Sequence, residues 1–293
     1  MIIVTGAAGF TGSRVVPILL EAGHEVKCFV RPTTKLDRLP HKEIELCMGS
    51  LEESDSLALA LEGVEVVINL ASLGFGHGPN LVDIIKASGV RRAVFVSTTS
   101  IFTSLNAPSK EVRNVAENAI RESGLDYTII RPTMIYGGPD DRNICRLIQF
   151  IKRWPIIPIF GSGRYLLQPV FVKDLAAAIV AATFQKESIR REYNLSGADP
   201  LTYNDLVMTI CRLIGKRRIL IHLPAPPIIA FLKIVELLGI KMKIKAEQVQ
   251  RLNEHKGFSH NEAVKDFGYN PKLFKEGVSL ELFEMGVLDN IRA

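Results

Sequence analysis

Cysteine is scarce in this chain. The four among 293 residues, Cys28, Cys47, Cys145 and Cys211, lie far apart and form no C-x-x-C pair. That spacing argues against a disulfide framework, and no His/Cys/Asp/Glu cluster has metal-ligand spacing. Buried free thiols in a reducing compartment are the expectation. The first strand starts at residue 2, which leaves no room for a signal peptide, so the chain is expected to be cytoplasmic. Charge of one sign is also in short supply, with 36 Lys and Arg against 31 Asp and Glu, a net +5. Basic residues cluster only at Lys216-Arg-Arg218 and Lys241-Met-Lys-Ile-Lys245, neither interleaved with aromatics, and no nucleic-acid partner is expected. Long hydrophobic runs are missing too. The strongly apolar stretch 224–240 is interrupted by Lys233 and Glu236 and is too short to span a bilayer. Its polar face is thin for an interfacial helix, so membrane contact is not expected; packing in a C-terminal subdomain or against a partner subunit is. There is no internal repeat, low-complexity tract or long linker.

What is present begins at once. Met1-Ile-Ile-Val-Thr-Gly-Ala-Ala-Gly-Phe-Thr-Gly12 is a short apolar strand running into a turn with glycines at G-x-x-G-x-x-G, followed by an amphipathic helix from Ser13 to Ala22. This is the order a dinucleotide pyrophosphate needs. Gly6 allows the tight turn, Gly9 lets the backbone approach the phosphates, and Gly12 lets the helix pack close to the sheet with its N-terminal N–H groups facing the anion. A second strand, 25–30, ends in Cys28-Phe-Val-Arg31-Pro-Thr-Thr-Lys35. An NAD-selective site carries an acid there to bond the ribose 2′-hydroxyl; here a cation stands instead. Arg31, with Thr33, Thr34 and Lys35 nearby, suits a 2′-phosphate, which favours NADP(H) and leaves NAD(H) as the alternative.

Short β-branched runs then alternate with helical patterns. Strands are expected at 43–48, 64–70, 92–97 and 127–131, and helices at 54–61, 80–88 and 109–123. Apolar runs of this length separated by helices indicate a parallel sheet covered on both faces, hence an α/β, doubly wound fold. After Arg131-Pro132 the rhythm changes. A helix over 142–154 and the Pro/Gly-rich stretch 155–163 read as an excursion from the sheet. Residues 168–172 and 174–184 return as strand and helix, with Asp174 placed to cap the latter. Tyr193 to Leu195 is a further short strand, and from Leu201 onward the pattern is mostly helical.

Several segments together resemble the extended and atypical short-chain dehydrogenases/reductases. They are Thr5-Gly-Ala-Ala-Gly-Phe-Thr-Gly12, Val96-Ser-Thr-Thr-Ser100, Tyr127-Thr-Ile-Ile-Arg-Pro-Thr-Met-Ile-Tyr-Gly137, Gln168-Pro-Val-Phe-Val-Lys-Asp-Leu-Ala176 and Tyr193-Asn-Leu-Ser-Gly197. Among these, the epimerase/dehydratase-like and NmrA-like members are the most similar. The resemblance implies a Rossmann core at 1–135 and 165–198, with a smaller, mostly helical substrate-side subdomain at 136–164 and 199–293. It also implies cofactor contacts: Gly6, Gly9, Phe10, Thr11 and Gly12 around the pyrophosphate, Ala71 and Ser72 near the ribose and nicotinamide, and Pro132 and Thr133 on the carboxamide side. Where the family often has Gly-Asp after the third strand, with the acid bonding adenine, this chain has Gly49-Ser50.

The catalytic positions depart from the pattern. Thr98 stands where the family has its Ser/Thr, but the Tyr-x-x-x-Lys pair aligns with Ser109 and Arg113. A serine hydroxyl does not ionise as a tyrosine does, and arginine stays charged and shuttles no proton. Lys110, one turn before Arg113, and His77 in the loop after the fourth strand are candidate substitutes. Tyr136 is expected toward the substrate or packed beneath it, and Asp140, Asp141 and Arg142 at a helix start. Two functions stay open. One is an NAD(P)-dependent oxidoreductase, epimerase-like, acting on a nucleotide-sugar or another small carbonyl or alcohol. The other is a non-catalytic NADP(H)-binding redox sensor or assembly factor. A monomer or homodimer is expected.

Overall fold

A computed structural model describes residues 1–40, 43–105, 107–240 and 245–288. The chain folds as two compact units, and each is built from separated stretches. The first takes Met1–Thr133, Val172–Leu195 and Ser259–Pro271; the second takes Met134–Phe171, Ser196–Phe258 and the segment from Lys272 onward. Thr133 and Met134 therefore mark the first change of unit. Residues 259–271, assigned on sequence to the substrate-side subdomain, fold with the sheet.

The first unit opens with β1 (Ile2–Thr5), α1 (Gly12–Glu21), β2 (Val26–Val30), β3 (Glu45–Met48) and α2 (Ser54–Ala60). It continues through β4 (Val66–Asn69), α3 (Gly78–Ala87), β5 (Arg92–Val96), α4 (Pro108–Glu122) and β6 (Asp126–Pro132). The chain then enters the second unit with β7 (Ile135–Tyr136), α5 (Ile144–Arg153), β8 (Ile156–Phe160), β9 (Leu166–Leu167) and β10 (Val170–Phe171). It returns to the first with α6 (Val172–Phe184) and β11 (Arg191–Leu195). The remaining elements are β12 (Leu201–Thr202), α7 (Tyr203–Leu213), β13 (Ile219–Leu223), α8 (Ala225–Leu237) and α9 (Ala246–Leu252) in the second unit. Last come α10 (Asn261–Phe267) in the first unit and α11 (Phe274–Glu284) in the second.

Seven strands form one parallel sheet in the order β11-β6-β5-β4-β1-β2-β3. The doubly wound fold read from the sequence is therefore the observed one. Strand order reverses between β1 and β4, where such sheets leave a ligand crevice at the strand carboxyl ends. β1 and β2 are buried along their whole length, as a strand covered on both faces must be. Ile3, Val67, Phe95 and Ile129 join Leu81, Ile85, Ala116 and Ile120 of α3 and α4 in one core layer.

The edge strand β11 is covered by α10. Tyr193 donates to Asp266 (2.7 Å) and packs edge-on against Phe267, and Arg191 lies 3.6 Å from both Glu262 and Asp266. A covered edge offers no template to another chain. A buried ion network ties α4 to β6 and β11: Arg131 donates to both Glu117 oxygens (3.0 and 2.6 Å) and to Glu192, and Arg121 donates to both acids. Cys28 is buried and its thiol is pushed up to about 12 by that burial, with Cys47 adding to it; Cys47 itself is only half-buried.

In the second unit, β8 pairs in parallel with β13. The sequence reading gave neither strand, because Pro155 and Pro158 break the usual strand signature. Pro158 is tolerated since this sheet has only two strands, both edges. Asp141 caps α5, accepting from the backbone N–H of Asn143 (2.8 Å) and Cys145 (2.9 Å), as expected of the Asp140–Arg142 turn. Asp174 instead lies inside the first turn of α6, which begins at Val172. The apolar stretch 224–240 forms α8, which buries Leu232 and Val235 while Phe231, Ile234 and Leu237 remain exposed. Among the described residues no helix is long and apolar enough to cross a membrane. Of the basic run 241–245, Lys241 to Ile244 lie outside the described residues.

Glu281 of α11 is fully buried, and neither carboxylate oxygen has a hydrogen-bond partner among the described residues. Burial, reinforced by Asp141, pushes its carboxyl up to about 8. The group is protonated in the fold and ionised when unfolded. Stability should therefore fall as pH rises from the ordinary carboxyl range toward about 8 and level off above it. Glu281→Gln is expected to remove that slope, gaining roughly 2–4 kcal/mol near pH 8 and converging with the wild type near pH 4. Denaturant titrations across that range measure it.

Candidate functional site

The site is built on the turn between β1 and α1. Thr5 ends β1 and donates to Asn69 Oδ1 (2.6 Å), and Asn69 donates to the Ala71 carbonyl (3.1 Å), so the ends of the two strands at the order reversal are locked together. Gly6 adopts φ +67°, and a Cβ there would lie 2.9 Å from the Ala71 nitrogen. Only glycine fits both the left-handed backbone and the close approach. A Cβ on Gly12 would lie 2.4 Å from the Gly6 carbonyl oxygen and 2.5 Å from that of Ala7. The first turn of α1 is thereby held directly on the loop, and Gly9 N–H bonds the Gly6 carbonyl (3.0 Å) inside it.

A cavity of about 620 Å³ lies over this turn. Gly6, Gly9, Arg31, Ser50, Ala71, Ser72 and His77, all singled out on sequence, share its wall. Arg31 is exposed there at the end of β2, with Thr34 beside it, and Glu52 is the acid in the same wall. Leu51, Glu52 and Phe75 also line the wall and were missed; each neighbours or nearly neighbours a residue that was noticed, but none belongs to a motif.

The remaining expected contacts lie outside this wall. Phe10 carries the Arg14 guanidinium 4.6 Å above its ring, and the Thr11 carbonyl accepts the first amides of α1. Pro132 accepts from the Thr99 hydroxyl (3.2 Å), and the Thr133 N–H bonds the Leu195 carbonyl (3.0 Å) at the end of β6.

The candidate acid–base groups are dispersed. Thr98, half-buried at the end of β5, accepts from the Ser100 N–H (3.2 Å) and caps the short turn that follows. Lys110 donates its amine to the Thr103 carbonyl (2.6 Å). Arg113 bonds the Ser109 carbonyl (3.0 Å) and lies against Gly74, 2.8 Å from where a Cβ would stand. His77 borders the cavity beside Ser50 and Glu52, and Thr98 does not. Burial lowers the His77 pKa below its ordinary value, with Glu52 opposing, so the ring is neutral near pH 7; its Nε2 is buried and has no partner among the described residues. Tyr136 is fully buried against Phe171 and Phe274, a packing residue.

The cradle of three glycines, the helix start and an adjoining cation fit a dinucleotide phosphate backbone by their own geometry. Residues 6–149 match the family model described as NAD(P)H-binding. The chain is 29% identical to subunit 9 of the NADH dehydrogenase [ubiquinone] 1 alpha subcomplex, mitochondrial, of Arabidopsis thaliana, over 76% of this chain and 60% of that protein. It thus spans less than two thirds of that relative. It is 25% identical to the photosystem II assembly factor Ycf39 of Cyanophora paradoxa, covering 80% and 73% of the two chains. It is 22% identical to a 3 beta-hydroxysteroid dehydrogenase/Delta 5-->4-isomerase of Mycobacterium tuberculosis, covering 92% and 86%. Among solved structures, dTDP-glucose 4,6-dehydratase from Bacillus anthracis in complex with NAD superimposes with a TM-score of 0.78 at 18% identity, over 97% of this chain and 96% of that one.

Proposed function

We propose that this chain, whose residues 6–149 match the NAD(P)H-binding family model and whose relatives include extended short-chain dehydrogenases/reductases, is an NADP(H)-binding protein of the redox-sensor or assembly-factor kind, without Tyr–Lys acid–base catalysis. The observation that carries this reading is the engagement of the two cations on α4. A Tyr–Lys pair works because the lysine lowers the phenol pKa and the phenol passes the proton. Here Ser109 offers no such acid, the Arg113 guanidinium sits against Gly74, and the Lys110 amine is spent on the Thr103 carbonyl. A bound dinucleotide would supply a hydride donor or acceptor, and Gly6, Gly9 and the start of α1 would cradle its phosphates. Arg31 supports NADP(H) over NAD(H), because a guanidinium forms charge-assisted bonds to a 2′-phosphate that a 2′-hydroxyl cannot repay. An assembly factor and a respiratory-complex subunit among the relatives are in keeping with a binding role.

A second reading, an oxidoreductase or epimerase-like enzyme on a small carbonyl or nucleotide-sugar, draws on one feature. Thr98 accepts a bond from Ser100 and so keeps its own hydroxyl proton to donate.

Calorimetric titration with NADPH and NADH tests the cofactor assignment. NADPH is expected to bind more tightly, and Arg31→Ala to weaken NADPH about tenfold while leaving NADH unchanged. Equal affinities, or no effect of the substitution, would sink the NADP(H) assignment. Substrate-dependent NADPH oxidation across carbonyl and nucleotide-sugar compounds would favour the second reading over the first.

A further inference from the structure

Phe75 is 80% exposed, yet it borders the cavity. A lone exposed apolar side chain is ordinary, but a flat aromatic face at the mouth of a ligand cavity is placed to meet a planar group of the ligand. We propose that Phe75 stacks on the adenine of the dinucleotide, an inference that rests on the cofactor reading above.

The direction of the ligand follows from the sheet. The phosphates lie over Gly6 and Gly9 at the order reversal, and Arg31 at the end of β2 marks the adenosine ribose. Moving outward along the order β1-β2-β3, the next wall is the turn after β3 with Ser50 and Leu51. The base therefore lies beside that turn. The loop after β4 supplies the facing contacts, and its anchor points keep it there. Asn80 of α3 donates to the Leu51 carbonyl (3.4 Å), Ser72 accepts the Gly74 N–H (3.3 Å), and the Arg113 guanidinium lies on Gly74. Gly76 at φ +92° then turns the chain away immediately after the ring. Phe75 is thus presented from a braced loop rather than left on a loose one. Ser50 and Glu52 can meet the adenine edge from this wall, and stacking holds the base by its face without depending on such a hydrogen bond. Every base has a π-face, and aromatic stacking on one is worth about 1–3 kcal/mol.

The test separates the two halves of the cofactor. Phe75→Ala, at a position too exposed to disturb folding, is expected to weaken NADPH and 2′-phospho-ADP-ribose alike by about tenfold. Phe75→Trp is expected to keep wild-type affinity, and its emission, above the Trp154 background, should be quenched by 2′-phospho-ADP-ribose but not by reduced nicotinamide mononucleotide. Unchanged NADPH affinity in Phe75→Ala, or quenching by the mononucleotide alone, would overturn the stacking and leave the cofactor reading standing. Wild-type protein that binds no NADPH would overturn both.

Discussion

Gly12→Ala is expected to weaken NADPH binding at least about 100-fold and to destabilise the protein by about 3 kcal/mol. A single added methyl carbon would stand 2.4 Å from one carbonyl oxygen and 2.5 Å from another, both of them backbone. No side-chain rotation relieves that overlap. Either α1 lifts from the sheet, losing the burial of Val15, Val16 and Leu19, or the loop from Gly6 to Gly9 shifts and spoils the phosphate cradle. Calorimetry reads the first effect and denaturant titration the second. Gly257→Ala is the control, since a Cβ there makes only ordinary contacts, the nearest 3.6 Å from the Pro200 Cβ, on a backbone that is not left-handed. A stable Gly12→Ala variant with full affinity would mean that the loop is not the phosphate site.

Glu117→Ala is the second large effect, expected to cost roughly 3–5 kcal/mol. Glu117 is 1% exposed and receives three bonds from the Arg131 fork and one from Arg121. Its removal leaves the Arg131 guanidinium, itself 6% exposed, beside Glu192 alone. Burial by itself would make Arg131 a weaker base, and the two acids more than reverse this. Glu192 likewise resists its own burial, which would raise its carboxyl; Arg121 and Arg131 hold it below the usual range. A depressed carboxyl contributes stability above its unfolded pKa and loses it as pH falls through the folded one, so the network should fail on the acid side. Denaturant midpoints at neutral pH check the substitution, and a loss under about 1 kcal/mol would show that the surrounding groups repair the network.

The sequence disclosed the sheet and the cradle because both are written locally. Gly6, Gly9 and Gly12 need only their own spacing, and β1, β2, β4 and β5 announce themselves as buried apolar runs. What stayed hidden depends on contacts distant in sequence. Nothing around Asp266 says that it will receive the Tyr193 hydroxyl and fasten α10 to the sheet edge. Lys110 read as a candidate substitute for the missing lysine because the carbonyl that holds its amine belongs to the backbone of Thr103, which has no sequence signature. β8 and β13 escaped since two prolines disguise one of them and the other is largely exposed. Phe75 was passed over among glycines, where a motif reader looks for turns rather than for a ring.

The three-piece construction of the first unit has a consequence for the newborn chain. As it leaves the ribosome, β6 appears and then waits while Met134–Phe171 is synthesised before β11 can pair with it. β11 in turn waits through Ser196–Phe258 for α10. Two successive strands are thus left bare in the nascent protein, each open to pairing with a neighbour on the same message. Slowing translation between residues 133 and 172, or between 195 and 259, should lengthen those intervals and increase co-translational aggregation, whereas a pause after residue 271 should not.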